Sequence, residues 1–282
     1  MKVILADTAG FCMGVALALR KLNRAIGNKP DGVRVYTHGP IIHNPQVLSR
    51  YRERGVEIFF PEIQLKRGDI VVVRAHGIAL YEEEFVQSLG ARIIDATCPK
   101  VKKAQLLIAE QSALGQKLLL FGEPEHPEVK GLVSYASAGY CVFEDIAELE
   151  RVLPDGKFFL ASQTTQDRGH FEEVKEILAG HKDTSVPVID TICDATKERQ
   201  EEVKELAAMA DYMVVAGGYA SGNTRRLVKV AKEMGVECVH VETADELPMD
   251  ELKGCRAIGL SAGASTPADV IDNVYKRLLS LP

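Results

Sequence analysis

Three stretches of this chain share one pattern: residues 4–15 read ILADTAGFCMGV, residues 93–103 read IIDATCPKVKK and residues 188–200 read VIDTICDATKERQ. Each runs from an apolar segment through an Asp and a Thr to a Cys, and each then enters a segment of helical character. Self-similarity at wide, near-equal spacing points to three related α/β units. Cutting at the cysteines gives three small domains: residues 14–97, residues 98–193, and residues 194–282 together with 1–13.

Outward from these stretches, short β-branched runs alternate with amphipathic ones. KVILAD, GVRVYT, EIFF, DIVVVRA, ARIIDA, KLLLFG, YCVFE, KFFLAS, VPVIDT, YMVVAGG, VECVHVE and RAIGLSAG read as about twelve strands, four for each domain. Strands separated by helices are the signature of α/β chains with mainly parallel sheets. In the first helix Val15, Leu19, Leu22 and Ile26 recur at helical spacing and form a stripe expected to cover a sheet. The loops that bind ligands in such sheets lie beyond the carboxyl ends of the strands, where helix N-termini point. Cys12, Cys98 and Cys193 all fall at that edge, and packing about a pseudo-threefold axis would let the thiols converge.

Composition sets bounds. Hydrophobic residues at 46% and charged residues at 26% suit a soluble globular protein with a real core. The net charge of -6 argues against a nucleic-acid footprint, which relies on clustered Lys and Arg. No apolar run approaches the roughly 20 residues that span a bilayer, and Asp7 stands where a signal peptide needs its apolar stretch, so a cytoplasmic location is expected. Six cysteines are too few for a disulfide scaffold in a chain of this length.

A Cys at the start of a helix feels the positive end of the helix dipole, which favours the thiolate that metals need. Three such thiolates fit a zinc site, an iron–sulfur cluster or, more plainly, buried structural thiols. Paired CxxC spacings, usual for zinc, are absent; a [4Fe–4S] cubane on three cysteines would keep one iron open to substrate. Cys141, Cys238 and Cys255 sit in or beside apolar strands and read as core residues.

His43, His76 and His126 follow strands or occupy Pro- and Gly-bearing loops at the cysteine edge, where imidazoles can hydrogen-bond a diphosphate. His38, His170, His181 and His240 have only surface or strand contexts. VVAGGYASGNTRRL runs from strand through a glycine-rich turn into a helix, so backbone N–H groups together with Ser221 and Asn223 can cradle phosphate oxygens. It is neither a Walker motif nor GxGxxG, and nucleotide binding is not indicated. Ser265 before Pro267 reads by itself as helix capping. Glu128, two residues after His126, is the best-placed carboxylate for moving protons, and Gln163, Thr164 and Thr165 follow a strand where hydroxyls can relay a proton.

Taken together, GFCMGV, PIIHNPQV, AHG, DATCP, HPEV, QTT, DTICDATKERQ, SGNTRRL and SAGAST resemble, in order and over nearly the whole chain, the IspH family, also called LytB, the 4-hydroxy-3-methylbut-2-enyl diphosphate reductases of isoprenoid biosynthesis by the methylerythritol phosphate pathway. The resemblance implies a trefoil of three α/β domains around a central [4Fe–4S] cluster with three Cys ligands, Cys12, Cys98 and Cys193, and one open iron site. It assigns His43, His76, His126, Ser221, Gly222, Asn223 and Ser265 to the substrate diphosphate. Glu128, Thr164 and His126 become the catalytic residues, with Gln163 in support. The implied reaction is a two-electron reductive dehydroxylation of the allylic diphosphate to isopentenyl and dimethylallyl diphosphate, with ferredoxin or flavodoxin as electron donor.

The chain departs from the family at two places. Ser221-Gly222-Asn223 stands where the family often has Ser-Ser-Asn, and Tyr219-Ala220 where it has Lys-Asn. The Arg often found shortly after GFCxGV is missing, residues 16–19 being apolar. A zinc-dependent phosphohydrolase would predict a colourless, zinc-loaded protein. An iron–sulfur redox sensor would need a DNA-binding or response surface, and quinolinate synthase leaves HPEV, QTT and SAGAST unexplained.

Overall fold

The computed structural model describes residues 1–180 and 186–281, so His181 lies outside the described residues. The strands are β1 (Lys2–Leu5), β2 (Val35–His38), β3 (Val56–Phe59), β4 (Ile70–Val73), β5 (Arg92–Asp95), β6 (Lys117–Phe121), β7 (Tyr140–Phe143), β8 (Phe158–Ser162), β9 (Tyr212–Ala216), β10 (Glu237–Val241) and β11 (Ala257–Ala262). Between and around them run α1 (Met13–Gly27), α2 (Pro45–Glu53), α3 (Leu80–Ser88), α4 (Pro99–Ala113), α5 (Pro127–Val133), α6 (Leu149–Val152), α7 (Arg168–Gly180), α8 (Asp194–Met209), α9 (Gly222–Glu233), α10 (Met249–Leu252) and α11 (Ala268–Leu279). No helix among the described residues is long and apolar enough to cross a membrane.

The chain divides into two compact units. One comprises Met1–Ala16, Ile42–Arg50 and the chain from Asp194 onward, and carries a sheet in the order β1-β11-β9-β10. Its strands are parallel throughout, and the central β9 and β11 are buried on both faces, as the inner strands of parallel sheets are. Alternation along β9 divides the packing: Tyr212, Val214 and Ala216 meet Ile271, Val274 and Leu278 of α11 in one apolar cluster. Met213 and Val215 join Val203 and Leu206 of α8 and Leu227 and Val230 of α9 in the other.

The second unit, Leu17–Ile41 with Tyr51–Cys193, holds two parallel sheets, β3-β2-β4-β5 and β7-β6-β8. In the latter, Leu118, Leu120 and Phe159 pack with Ile108 of α4 and Leu132 of α5. Leu119, Phe121 and Leu160 face Phe171 and Val174 of α7. All three sheets share one order: a central strand, a second strand on one side, and on the other a strand followed by the segment that leads to a cysteine.

The α/β class and the parallel pairing agree with the sequence reading, with one correction. VPVIDT is not a strand; it contributes one isolated bridge, Val188 to Leu160. Pro187 has no N–H, and only its carbonyl joins the ladder, accepting from Leu160 N at 2.9 Å. At the next ladder position the Thr191 hydroxyl replaces the backbone, accepting from Ser162 N at 2.8 Å and donating to Ser162 O at 2.5 Å. The described residues therefore contain eleven strands. The α1 stripe forms as expected at Val15, Leu19 and Leu22, while Ile26 is only half-buried and Ala18 and Ala25 complete the buried face.

Candidate active site

Each repeat cysteine immediately precedes a helix, α1, α4 or α8. Each also has the same backbone tie. The Cys12 amide donates to Ala264 O at 3.2 Å, that of Cys98 to Ala75 O at 2.9 Å and that of Cys193 to Thr164 O at 2.9 Å. In every case the acceptor is the second residue beyond the end of the neighbouring strand, β11, β4 or β8. The repeat seen in the sequence is thus a repeat of hydrogen bonding as well. The Cys12 sulfur accepts from Val15 N–H at 3.5 Å. All three side chains are half-buried and none is in a disulfide. Cysteine sulfur at a helix start is the kind of soft donor that an iron–sulfur cluster takes. Cys238, by contrast, is buried on β10, and burial pushes its thiol up to about 12, as suits an inert core residue. Cys141 and Cys255 are corrected from core to half-buried, because β7 is an edge strand and Cys255 lies in the turn before β11.

Within the second unit, α5 starts with His126 as its N-cap. The ring Nδ1 accepts from Glu128 N–H at 3.1 Å, so the neutral imidazole carries its proton on Nε2, as a donor to an anion must. The His76 ring meets the His126 ring edge-on at 5.3 Å between centroids. Glu128 is 1% exposed, and its Oε1 accepts from Thr164 N at 2.6 Å while its Oε2 accepts from Thr164 Oγ1 at 2.9 Å. Burial raises its pKa to about 7, although both Thr164 bonds pull the other way. A carboxyl poised there can give a proton at neutral pH. Because the Thr164 carbonyl accepts from Cys193 N–H, one residue joins the acid to a cysteine. Gln163 steadies the loop, accepting from Glu123 N at 3.0 Å and donating to Thr165 Oγ1 at 3.2 Å.

Within the first unit, the turn after β9 ends in Ser221, the N-cap of α9, whose Oγ accepts from Thr224 N at 3.3 Å. Ser265 Oγ lies 3.4 Å from Ser221 Oγ and donates to His43 O at 3.2 Å. Asn223 is 6% exposed, and its side-chain nitrogen has no hydrogen-bond partner among the described residues. A buried amide N–H left unpaired costs roughly 1–3 kcal/mol, so its survival points to a ligand acceptor. Gly222 is the first residue of α9, where the backbone N–H has no intrahelical partner. Gly218 lets the turn approach His43: a Cβ there would stand 2.5 Å from the His43 carbonyl oxygen. His43, Ser221, Gly222, Asn223 and Ser265 therefore share one neighbourhood.

Comparison with known proteins gives the same direction. The family model described as LytB protein matches residues 3–279. The chain belongs to the LytB family. A relative from Nitratidesulfovibrio vulgaris (strain DSM 19637 / Miyazaki F), named 4-hydroxy-3-methylbut-2-enyl diphosphate reductase, is 54% identical with all of both chains covered. One of the same name from Aquifex aeolicus is 41% identical over 98% of this chain and 95% of its own. A solved structure described as (E)-4-hydroxy-3-methyl-but-2-enyl diphosphate reductase, the terminal enzyme of the non-mevalonate pathway, is 40% identical, covers both chains fully and superposes with a TM-score of 0.71. The Plasmodium falciparum E-1-hydroxy-2-methyl-but-2-enyl-4-diphosphate reductase is 25% identical and superposes with a TM-score of 0.90 over all of this chain and 88% of its own.

Outside the LytB motifs, the other histidines among the described residues, His38, His170 and His240, make structural contacts. The His240 ring bonds to Gly217 O at 2.9 Å, the His170 amide donates at 2.9 Å to the Asp167 carboxylate that caps α7, and His38 lies beside Glu82 with its pKa lowered by burial. Sequence reasoning missed Glu242 and Glu246, which hold Tyr219 in the LytB turn. They lie about 25 residues beyond the turn in a polar loop, and no local pattern marks them.

Proposed function

We propose that this LytB-family chain is a 4-hydroxy-3-methylbut-2-enyl diphosphate reductase, forming isopentenyl and dimethylallyl diphosphate in the cytoplasm. The observation that carries the mechanism is Glu128, a fully buried carboxyl held near neutrality against Thr164. Cys12, Cys98 and Cys193 would hold a [4Fe–4S] cluster with one open iron site. When bound, the cluster would pass on the two electrons of the reduction, one at a time from the external donor, and would offer a Lewis-acidic iron.

The protein's own groups do the rest. His43, His76 and His126 donate to the diphosphate, with Ser221, the Gly222 amide, Asn223 and Ser265, so that binding energy becomes positioning of the carbon chain. Glu128 delivers a proton through Thr164 toward the allylic hydroxyl, whose C–O bond breaks. Two electrons and two protons enter, one C–H bond forms and water leaves. Gln163 keeps the Thr164 loop in register. Ferredoxin or flavodoxin is the electron donor. The sheets also support a division into domains at 14–97, 98–193, and 194–282 with 1–13, since each span contains one sheet.

The test is an anaerobic assay with reduced viologen as electron source and the hydroxylated allylic diphosphate as substrate. Both product diphosphates, in a reaction that consumes two electrons per turnover, are expected. Release of inorganic phosphate without reductant would overturn the proposal.

A further inference from the structure

The glycine-rich turn after β9 is tied down on its solvent side by groups for which the proposed reaction has no use. Tyr219 donates its amide to Glu242 Oε1 at 2.7 Å and its hydroxyl to Glu246 Oε2 at 2.5 Å. Glu246 Oε2 also accepts from Glu242 N at 2.9 Å, and Glu246 Oε1 accepts from the Thr243 hydroxyl at 3.3 Å, so the Glu246 carboxylate and the Glu242 backbone are fixed in the segment after β10. Gln46 Nε2 holds the Glu242 carbonyl at 3.1 Å. The His240 ring meets the Tyr219 ring edge-on at 4.6 Å while its Nε2 bonds to Gly217 O.

Such anchoring of a half-exposed tyrosine is unusual. Tyr219 is 49% exposed and contributes nothing to an apolar core, so packing does not explain its fixed position. The turn it belongs to contains Gly217 and Gly218, and glycine gives a backbone the most freedom to lose. Ser221 and Asn223 follow Tyr219 by two and four residues. A turn left loose would have to be ordered by the ligand, and that ordering would be subtracted from affinity.

We propose that Tyr219 is a positioning residue for the diphosphate subsite: clamped by Glu242 at its amide and by Glu246 at its hydroxyl, it presets the glycine-rich turn so that Ser221 and Asn223 meet phosphate oxygens without reordering. This rests on the reading that the subsite holds the substrate diphosphate. The clamp acts through the turn, as a bonded tether. Glu246 accepting from the phenol pushes it up to about 12, which keeps it a donor at working pH.

The test compares Tyr219→Phe, Glu246→Gln, the double variant and Asn223→Ala in cluster-loaded protein, reading kcat, KM, thermal midpoint and affinity for inorganic pyrophosphate as a probe of the subsite. Loss of one such bond is expected to raise KM and weaken pyrophosphate binding about fivefold in Tyr219→Phe, with kcat within about twofold and the thermal midpoint unchanged. Glu246→Gln keeps an amide oxygen that can accept from the phenol, so it should cost less than Tyr219→Phe, and the two losses should be non-additive in the double variant, since they meet at one bond. A merely structural tyrosine would lower the midpoint and leave the KM-to-kcat ratio and pyrophosphate affinity in place. If Asn223→Ala weakens pyrophosphate binding and Tyr219→Phe does not, the clamp is wrong and the subsite stands. If neither variant changes it, the diphosphate reading fails and the clamp with it.

Discussion

Replacing Glu128 by Gln isolates the proton source. Burial lifts this carboxyl from an ordinary 4.5 to about 7. At about 1.36 kcal/mol for each tenfold displacement of a protonation equilibrium, ionising it in the folded protein costs about 3 kcal/mol more than in the unfolded chain. The sign follows from the direction. The folded value lies above the unfolded one, so the folded state keeps a proton that the unfolded chain has already released. The associated stability is complete below about pH 4.5 and is lost as pH rises through about 7. Glu128→Gln has no charge to bury, and its amide oxygen can still accept from Thr164 N. Relative to the native protein it is expected to gain up to about 3 kcal/mol between pH 5 and pH 8.5, measured by urea unfolding at each pH. Its kcat should fall about 10²–10⁴-fold with cluster content unchanged, as removal of a positioned general acid does. In the native enzyme kcat/KM should decline as pH rises above about 7. Native turnover in the variant, or a stability difference that is flat from pH 5 to pH 8.5, would refute the reasoning.

Three other substitutions probe separate parts. Asn223→Ala removes the unpartnered buried amide, and KM for the allylic diphosphate should rise about tenfold with kcat changed by less than about threefold in steady-state assays. Cys98→Ser should yield a folded protein with iron and sulfide well below the native content and with most of the visible absorption gone. Gly217→Ala puts a Cβ 2.6 Å from Thr266 Oγ1 at a φ of 150°, so thermal unfolding should begin earlier, by about 2 kcal/mol of lost stability.

Much of this was legible because the same physics is written three times. An apolar run, an Asp, a Thr and a Cys before a helix fix a strand edge and a helix start together, and the structure repeats the amide tie at Cys12, Cys98 and Cys193. The parallel sheets follow from β-branched runs such as residues 70–73, buried along their whole length. VPVIDT misled because its composition is that of a strand, while the missing N–H of Pro187 and the Thr191 hydroxyl dismantle the ladder. Ser265 reads locally as a plain cap, and only the resemblance assigns it to the diphosphate; its bond to the His43 carbonyl spans 222 positions, and no local pattern carries such a contact. The Tyr219 clamp was hidden for the same reason. Glu242 and Glu246 look like solvated loop acids until the fold brings β10 beside β9. The raised pKa of Glu128 was equally beyond the sequence, since burial and not residue type sets it.

The most direct test of the central claim is a Mössbauer spectrum of protein purified without oxygen, recorded before and after addition of the hydroxylated allylic diphosphate. One [4Fe–4S] cluster per chain with a single distinct iron, whose signal alone shifts on adding the diphosphate, is the expected result. A protein that stays colourless after anaerobic reconstitution, or a cluster indifferent to the diphosphate, would contradict it.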